Sequence, residues 1–189
     1  MPLSPSQWCN DGKCYGNISR LLHWVIAIFI FTMLGLGWTM DIIPKEWKPT
    51  AMGIHKSLGI LILALVIIRL CWRLYNAPPP LPSSVRQWEK TLSIFAHYLL
   101  YGLLLAMPLT GWAMSSAFGR PVIFLGLFPL PELVSMDREL GKNLKEMHDT
   151  FAYLLAGMIS LHIGAAFYHH FIRKDDILLR IWPILLKKK

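Results

Sequence analysis

Acidic residues are scarce in this chain: 11 Asp and Glu stand against 19 Lys and Arg, and charged residues fill only 16% of its 189 positions. Long stretches lack charge altogether. Residues 21–40, 91–119 and 150–172 contain no Asp, Glu, Lys or Arg. A soluble core does not require uncharged runs of that length. Cysteine is rare too, with three in the chain and no Cys-x-x-Cys-His, which argues against covalent c-type haem attachment. Cys9 and Cys14 alone would make a poor metal site, and both read as reduced thiols. Internal repeats and low-complexity segments are absent. The first apolar run has no small-residue cleavage site and is longer than a signal h-region, so it reads as a retained helix.

What the chain has in abundance is apolar surface: 54% hydrophobic residues, with eight tryptophans. Each uncharged run can cross about 30 Å of hydrocarbon as a helix. A further segment, residues 52–74, is uncharged from Ser57 to Ile68, with Lys56 near one end and Arg69 and Arg73 near the other. Long basic side chains can snorkel from such ends. The expectation is an all-α integral membrane protein, a bundle of four helices in one domain.

Basic residues then set the orientation. Four crossings put the N-terminus, the second connection and the C-terminal tail on one side. Lys13, Arg20, Arg69, Arg73, Arg86, Lys90, Arg173, Lys174, Arg180 and Lys187 to Lys189 lie there, against Lys45, Lys48, Arg120, Arg138, Lys142 and Lys145 opposite. That two-to-one excess predicts both termini in the cytoplasm. The net charge of +8 is then mainly an orientation signal that anionic lipid can neutralise, not a nucleic-acid footprint. Four prolines between Asn76 and Ser84 predict a stiff second connection. The third, residues 118–143, is broken by Pro129 and Pro131 and is expected to lie along the outer interface. Pro108 and Gly111 predict a kink in the third helix.

Histidines carry the chemistry. His148 and His162 are fourteen residues apart on one helix, so they share a face and stand about 21 Å apart along its axis. His55 and His148 each begin an inward helix, which sets both near the outer surface. His23 begins an outward helix and lies level with His162. The outer pair is therefore His55 and His148, and the inner pair His23 and His162. Facing imidazoles can hold a haem iron from both sides, and a six-coordinate site favours electron transfer over oxygen binding. The plainer alternative for any one of them is a hydrogen bond to a neighbouring helix or a proton relay.

Arg69 follows His55 by the same fourteen residues, so it shares that face at the depth of the inner pair. A buried guanidinium seeks an anion, which a haem propionate would supply; the alternative is snorkelling to the cytoplasmic face. Gly59, one turn inward from His55, would let a macrocycle approach the backbone. His97 counts to about a turn beyond the inner pair, as a rival ligand to His23 or as a quinone-site or propionate partner. His169 and His170 sit beside Arg173, Lys174, Asp175 and Asp176, where interfacial anchoring is the default.

With these motifs in order, the chain resembles the bacterial cytochrome b561 family of small four-helix di-haem membrane proteins. The matching elements are RLLHW at 20–24, GIHKSLGI at 53–60, RLCWRL at 69–74, AHYLLY at 96–101, MPLTGW at 107–112, LKEMHDT at 144–150 and LHIGAAFYHHF at 161–171. The resemblance implies a di-haem domain at 18–183, a cytoplasmic extension at 1–17 and a basic tail at 184–189. It also implies two haem b, ligated by His23, His55, His148 and His162, in a multi-pass protein of the bacterial cytoplasmic membrane. Related cytochrome subunits of formate dehydrogenases and hydrogenases use a similar last-helix histidine pair. The N-terminal SPSQWCNDGKCYGN exceeds the usual family start.

The activity implied by the resemblance is superoxide oxidation outside the membrane, with ubiquinone as electron acceptor. Superoxide is an anion, and Lys56 beside His55 and Lys145 one turn before His148 are placed to steer it. Lys45, Lys48, Arg120 and Lys142 add to that field, while acidic residues on the same side dilute it. Two alternatives belong to other classes: an electron relay between a partner oxidoreductase and quinone, and a proton-coupled transporter with a histidine relay. Composition says nothing of oligomeric state.

Overall fold

The computed structural model describes residues 8–12 and 14–182, so Lys13 and the basic tail at 184–189 lie outside the described residues. Four long helices dominate: α1 (Asn17–Thr39), α2 (Lys48–Tyr75), α3 (Gln87–Ala117) and α4 (Arg138–Phe167), the last extended by a π-helical turn, Tyr168–Arg173. All four are long and apolar enough to cross a membrane. Large apolar side chains such as Ile28, Phe31, Ile67, Leu154 and Leu161 point outward, as hydrocarbon-facing residues do. The protein is a multi-pass helical membrane bundle.

Local chemistry explains the boundaries. Pro49 sits in the first turn of α2, where its missing N–H costs nothing. Glu89 accepts from the Arg86 backbone N–H at 2.8 Å and caps α3. Asp137 accepts from the N–H groups of Glu139 and Leu140 and caps α4. α3 runs unbroken through Pro108. α2 and α4 begin well before their uncharged cores, so His55 and His148 lie seven and ten residues inside their helices.

α1 packs on α2, α2 on α3, and α3 along most of α4. α4 keeps its backbone away from α1 and α2, so that side of the bundle is the wide one. The core is one apolar layer of Ile26, Ile30, Ile62, Val66, Leu103 and Leu155. Leu155 falls midway between His148 and His162, so this layer separates the two histidine levels.

The first and last described segments meet at one end of the bundle. The short helix α5 (Ile177–Ile181) receives hydrogen bonds on its carbonyls from Arg20, at Arg180, and Trp24, at Ile181. Asn10 folds the preceding segment down, donating to the carbonyls of Asn76 and Ala77 and accepting from Gly16 and Ser19. Gly16 is required there, because a Cβ would lie 2.4 Å from the Cys9 backbone. Cys9, Cys14 and Cys71 are free thiols.

At the opposite end the third connection forms a small hairpin, β1 (Ile123–Phe124) with β2 (Phe128–Pro129). Its turn uses Leu125 and Gly126 at φ of 50° and 73°, the sign a tight hairpin demands. Buried Ser57, two residues past His55, pins it: its hydroxyl donates to the Ile123 carbonyl at 3.2 Å and accepts from Leu125 N–H at 3.0 Å.

Candidate haem-binding sites

α4 supplies one imidazole at each level. His148 faces His55 of α2 with ring centroids 6.3 Å apart and planes at 68°. Fourteen residues on, His162 faces His23 of α1 at 6.3 Å and 66°. The repeat of one spacing at two levels is informative. A metal–imidazole bond is about 2.0–2.1 Å and a ring nitrogen lies about 1.1 Å from its centroid, so two rings flanking one ion stand about 6.3 Å apart. Both pairs bridge the wide side of the bundle, so the residues fit a haem held from both faces.

His148 is held from behind. Its Nδ1 lies 3.0 Å from the Met107 carbonyl and 3.3 Å from the Thr110 hydroxyl. A carbonyl can only accept, so Nδ1 carries the proton and Nε2 keeps its lone pair for a metal. Gly111 makes this approach feasible: a Cβ there would meet His148 Cε1 at 3.0 Å and Nδ1 at 3.3 Å. Gly111→Val is therefore expected to displace the ring and lower the haem-to-protein ratio, measured on purified protein. An unchanged ratio would remove Gly111 from the site.

His55 has no such backing, and its buried Nδ1 has no partner among the described residues. Gly59 meets only Met33 Cε at 3.8 Å on adding a Cβ, so its backbone is approachable.

Three imidazoles gather at the other level. His97 meets His162 edge-on, with centroids 5.5 Å apart at 87°. The His97 Nδ1 lies 2.6 Å from the Ser93 carbonyl and so donates to it. Arg69 reaches the same end. Its Nε donates to the Tyr101 hydroxyl at 3.0 Å, while its buried Nη1 has no partner among the described residues. A guanidinium with one satisfied arm and one orphaned arm suits a carboxylate, and this is a poor match for a freely snorkelling side chain.

Beyond the rings, Lys56 donates to the Arg120 carbonyl at 3.0 Å, beside His55. Lys145 is instead bound to Asp149 at 2.6 Å, which cancels much of its field. His169 is tied to Asp175 at 2.6 Å, and both are largely buried, a firmer arrangement than interfacial anchoring. Among the described residues no three metal-binding side chains converge on one ion, so the chemistry rests on pairs. Tyr101, Thr110 and Gly111 in its backing role escaped the sequence reading, because only tertiary packing brings them to Arg69 and His148.

Half-buried imidazole pairs facing each other between membrane-spanning helices are the arrangement of membrane cytochromes b. Residues 14–183 match the family of prokaryotic cytochrome b561, and the chain belongs to that family. It is a membrane electron-transfer protein of the bacterial inner membrane with b-type haem. It is 33% identical over 175 residues to cytochrome b561 homolog 2 of Escherichia coli K12, covering 91% of this chain and 93% of that protein. Cytochrome b561 homolog 1 of the same strain is 29% identical over 169 residues, covering 86% of this chain and 93% of that protein. A probable superoxide oxidase, CybB, of Yersinia pestis is 29% identical over 171 residues, covering 90% of this chain and 97% of that protein.

Proposed function

We propose that residues 18–183 form a di-haem unit that moves electrons from superoxide at one face of the membrane to ubiquinone near the other. The observation that carries this reading is the repeated 6.3 Å spacing of His55 with His148 and of His23 with His162. Each pair would hold one haem b, which supplies reversible one-electron chemistry when bound. His23 is the better partner for His162 than His97, whose 5.5 Å edge-on contact is too close for an intervening ion. The excess of basic residues supports a topology with both termini in the cytoplasm and the His55–His148 pair toward the periplasm. The net reaction is two superoxide anions and one ubiquinone with two protons, giving two dioxygen and one ubiquinol. The relative described as a probable superoxide oxidase supports this choice of donor.

The chain's own residues have separate tasks. Lys56, Arg120, Lys45 and Lys48 attract the anion toward the His55 end, with Lys145 contributing less because Asp149 offsets it. Arg69 would hold a propionate at the His162 end, with Tyr101 fixing the orientation of its guanidinium. His97, whose Nδ1 is committed to Ser93, would have Nε2 to offer a quinone or a propionate.

Stopped-flow reduction by superoxide, with and without added ubiquinone, tests the whole reading: rapid reduction followed by quinone-dependent reoxidation is expected. A protein reduced only through a partner oxidoreductase would sink it in favour of a relay, and a colourless purified protein would favour the transporter. The steering residues give a finer expectation. Exposed charges are screened over about 8 Å at physiological ionic strength, so the superoxide rate should fall as salt rises. Lys56→Gln should lower the low-salt rate several-fold and flatten the salt dependence, Lys145→Gln should do less, and the pair together most. The rate with a neutral reductant should hold in all of them. Full low-salt rates in the double variant would dismiss steering.

A further inference from the structure

Four cations line one cavity whose walls include no histidine. Lys45, Lys48, Lys56 and Arg120 line an open cavity of about 580 Å³ between the start of α2 and the hairpin connection, with Met52 and Ile123 among its apolar walls. The volume lies within the usual range for small-molecule sites, about 300–1,000 Å³. No carboxylate lines it. Asp41 reaches Lys48 at 3.6 Å, but its side chain is fully exposed and held away from the cavity lining. Lys56 is fixed by the Arg120 carbonyl, which positions both residues on one wall.

The surroundings set the depth of this cavity. The hairpin beside it exposes Ile123, Leu125, Leu127 and Phe128, the last three flanking or forming its turn. Exposed apolar side chains on a membrane bundle enter the acyl region, and Trp38 and Trp47, also exposed, sit where aromatic residues mark the interface. A cationic cavity with apolar walls at that level opens beside the lipid phosphates.

We propose that this cavity binds the phosphate headgroup of an anionic phospholipid, with the acyl chains passing over Met52 and Ile123. The cations supply charge-assisted hydrogen bonds to the phosphodiester. No histidine lines the site, which draws on the same four cations as the proposed steering field, so a bound phosphate would offset part of that field.

The test uses the purified haem-loaded protein in neutral detergent. Thermal unfolding is followed while short-chain phosphatidylglycerol, short-chain phosphatidylcholine or inorganic phosphate is added, and native mass spectrometry counts retained lipid. Phosphatidylglycerol is expected to raise Tm in a saturable way and to persist as one bound molecule, with phosphatidylcholine giving little of either. The response should be lost in Lys48→Gln, Arg120→Gln and kept in Lys90→Gln, a change at the other end of the bundle. Equal effects of the two lipids would overturn the proposal, as would a response that survives the double variant. Inorganic phosphate matching phosphatidylglycerol at equal concentration would overturn the lipid assignment, and no response to either anion would remove the site.

Discussion

Alanine in place of His55 or His148 is expected to remove one haem, halving haem per protein while leaving the second set of reduced bands. Alanine at His23 or His162 should remove the complementary one. If each pair holds one haem as proposed, the effect is large because a pair spaced at 6.3 Å would offer one ligand from each side, and losing either would leave the iron half held. His97→Ala should retain both haems, since its ring touches His162 edge-on and its Nδ1 is committed to Ser93. A variant that misfolds would lose everything, so His148→Met is the companion: a thioether can replace an imidazole and should keep the haem at a raised potential. Haem quantitation and redox titration read both outcomes. If His97→Ala loses a haem that His23→Ala keeps, the pairing is wrong.

The facing of these rings was legible because helix geometry is so regular. Four uncharged runs fix depth, and fourteen residues fix a shared face, so His148 and His162 follow from counting alone. The rotation of one helix about its axis against another is not a matter of counting. His97 therefore meets His162 in a way no spacing on α3 announces. Gly111 was readable as a bend beside Pro108, yet its effect lies across the bundle, where it admits His148 against the α3 backbone. The pairing of Lys145 with Asp149 sits at an i,i+4 interval and was open to the eye; its cost to the steering field emerges only with the 2.6 Å contact.

The third connection was harder for a different reason. Its apolar residues and prolines mark an interfacial segment, but strands of two residues leave no alternation to detect. Leu125 adopts φ of 50° where a turn signal would be Asn or Gly. That backbone is held by Ser57 from α2, a long-range contact with no local signature. The same holds for Asn10, whose hydrogen bonds to Asn76 and Ala77 fold a polar segment over the bundle end. Polar loops reveal their partners only once the helices have placed them.

Arg69→Leu is expected to lower the midpoint potential of the haem at the His23–His162 level by tens of millivolts. Reduction adds a negative charge, and a nearby fixed cation stabilises the reduced form, so removing it favours the oxidised one. At an effective dielectric of about 20 and a separation of roughly 10 Å, a unit charge contributes on the order of 1–2 kcal/mol, which gives that scale. Arg69 is well placed for this, because its Nε is held by the Tyr101 hydroxyl while its buried Nη1 has no partner among the described residues. The geometry also separates charge from packing. Tyr101→Phe removes the 3.0 Å hydrogen bond that orients the guanidinium while leaving the cation, so its shift should be smaller and in the same direction. Arg69→Lys should restore most of the potential if charge is what matters, and less if the bidentate geometry of the guanidinium is needed. The haem at the His55–His148 level serves as an internal reference, since Arg69 lies fourteen residues, or about 21 Å, from His55 along α2. An unchanged potential at the His162 level, with both haems present, would return Arg69 to the membrane surface as a snorkelling residue and leave its buried Nη1 to be satisfied by water.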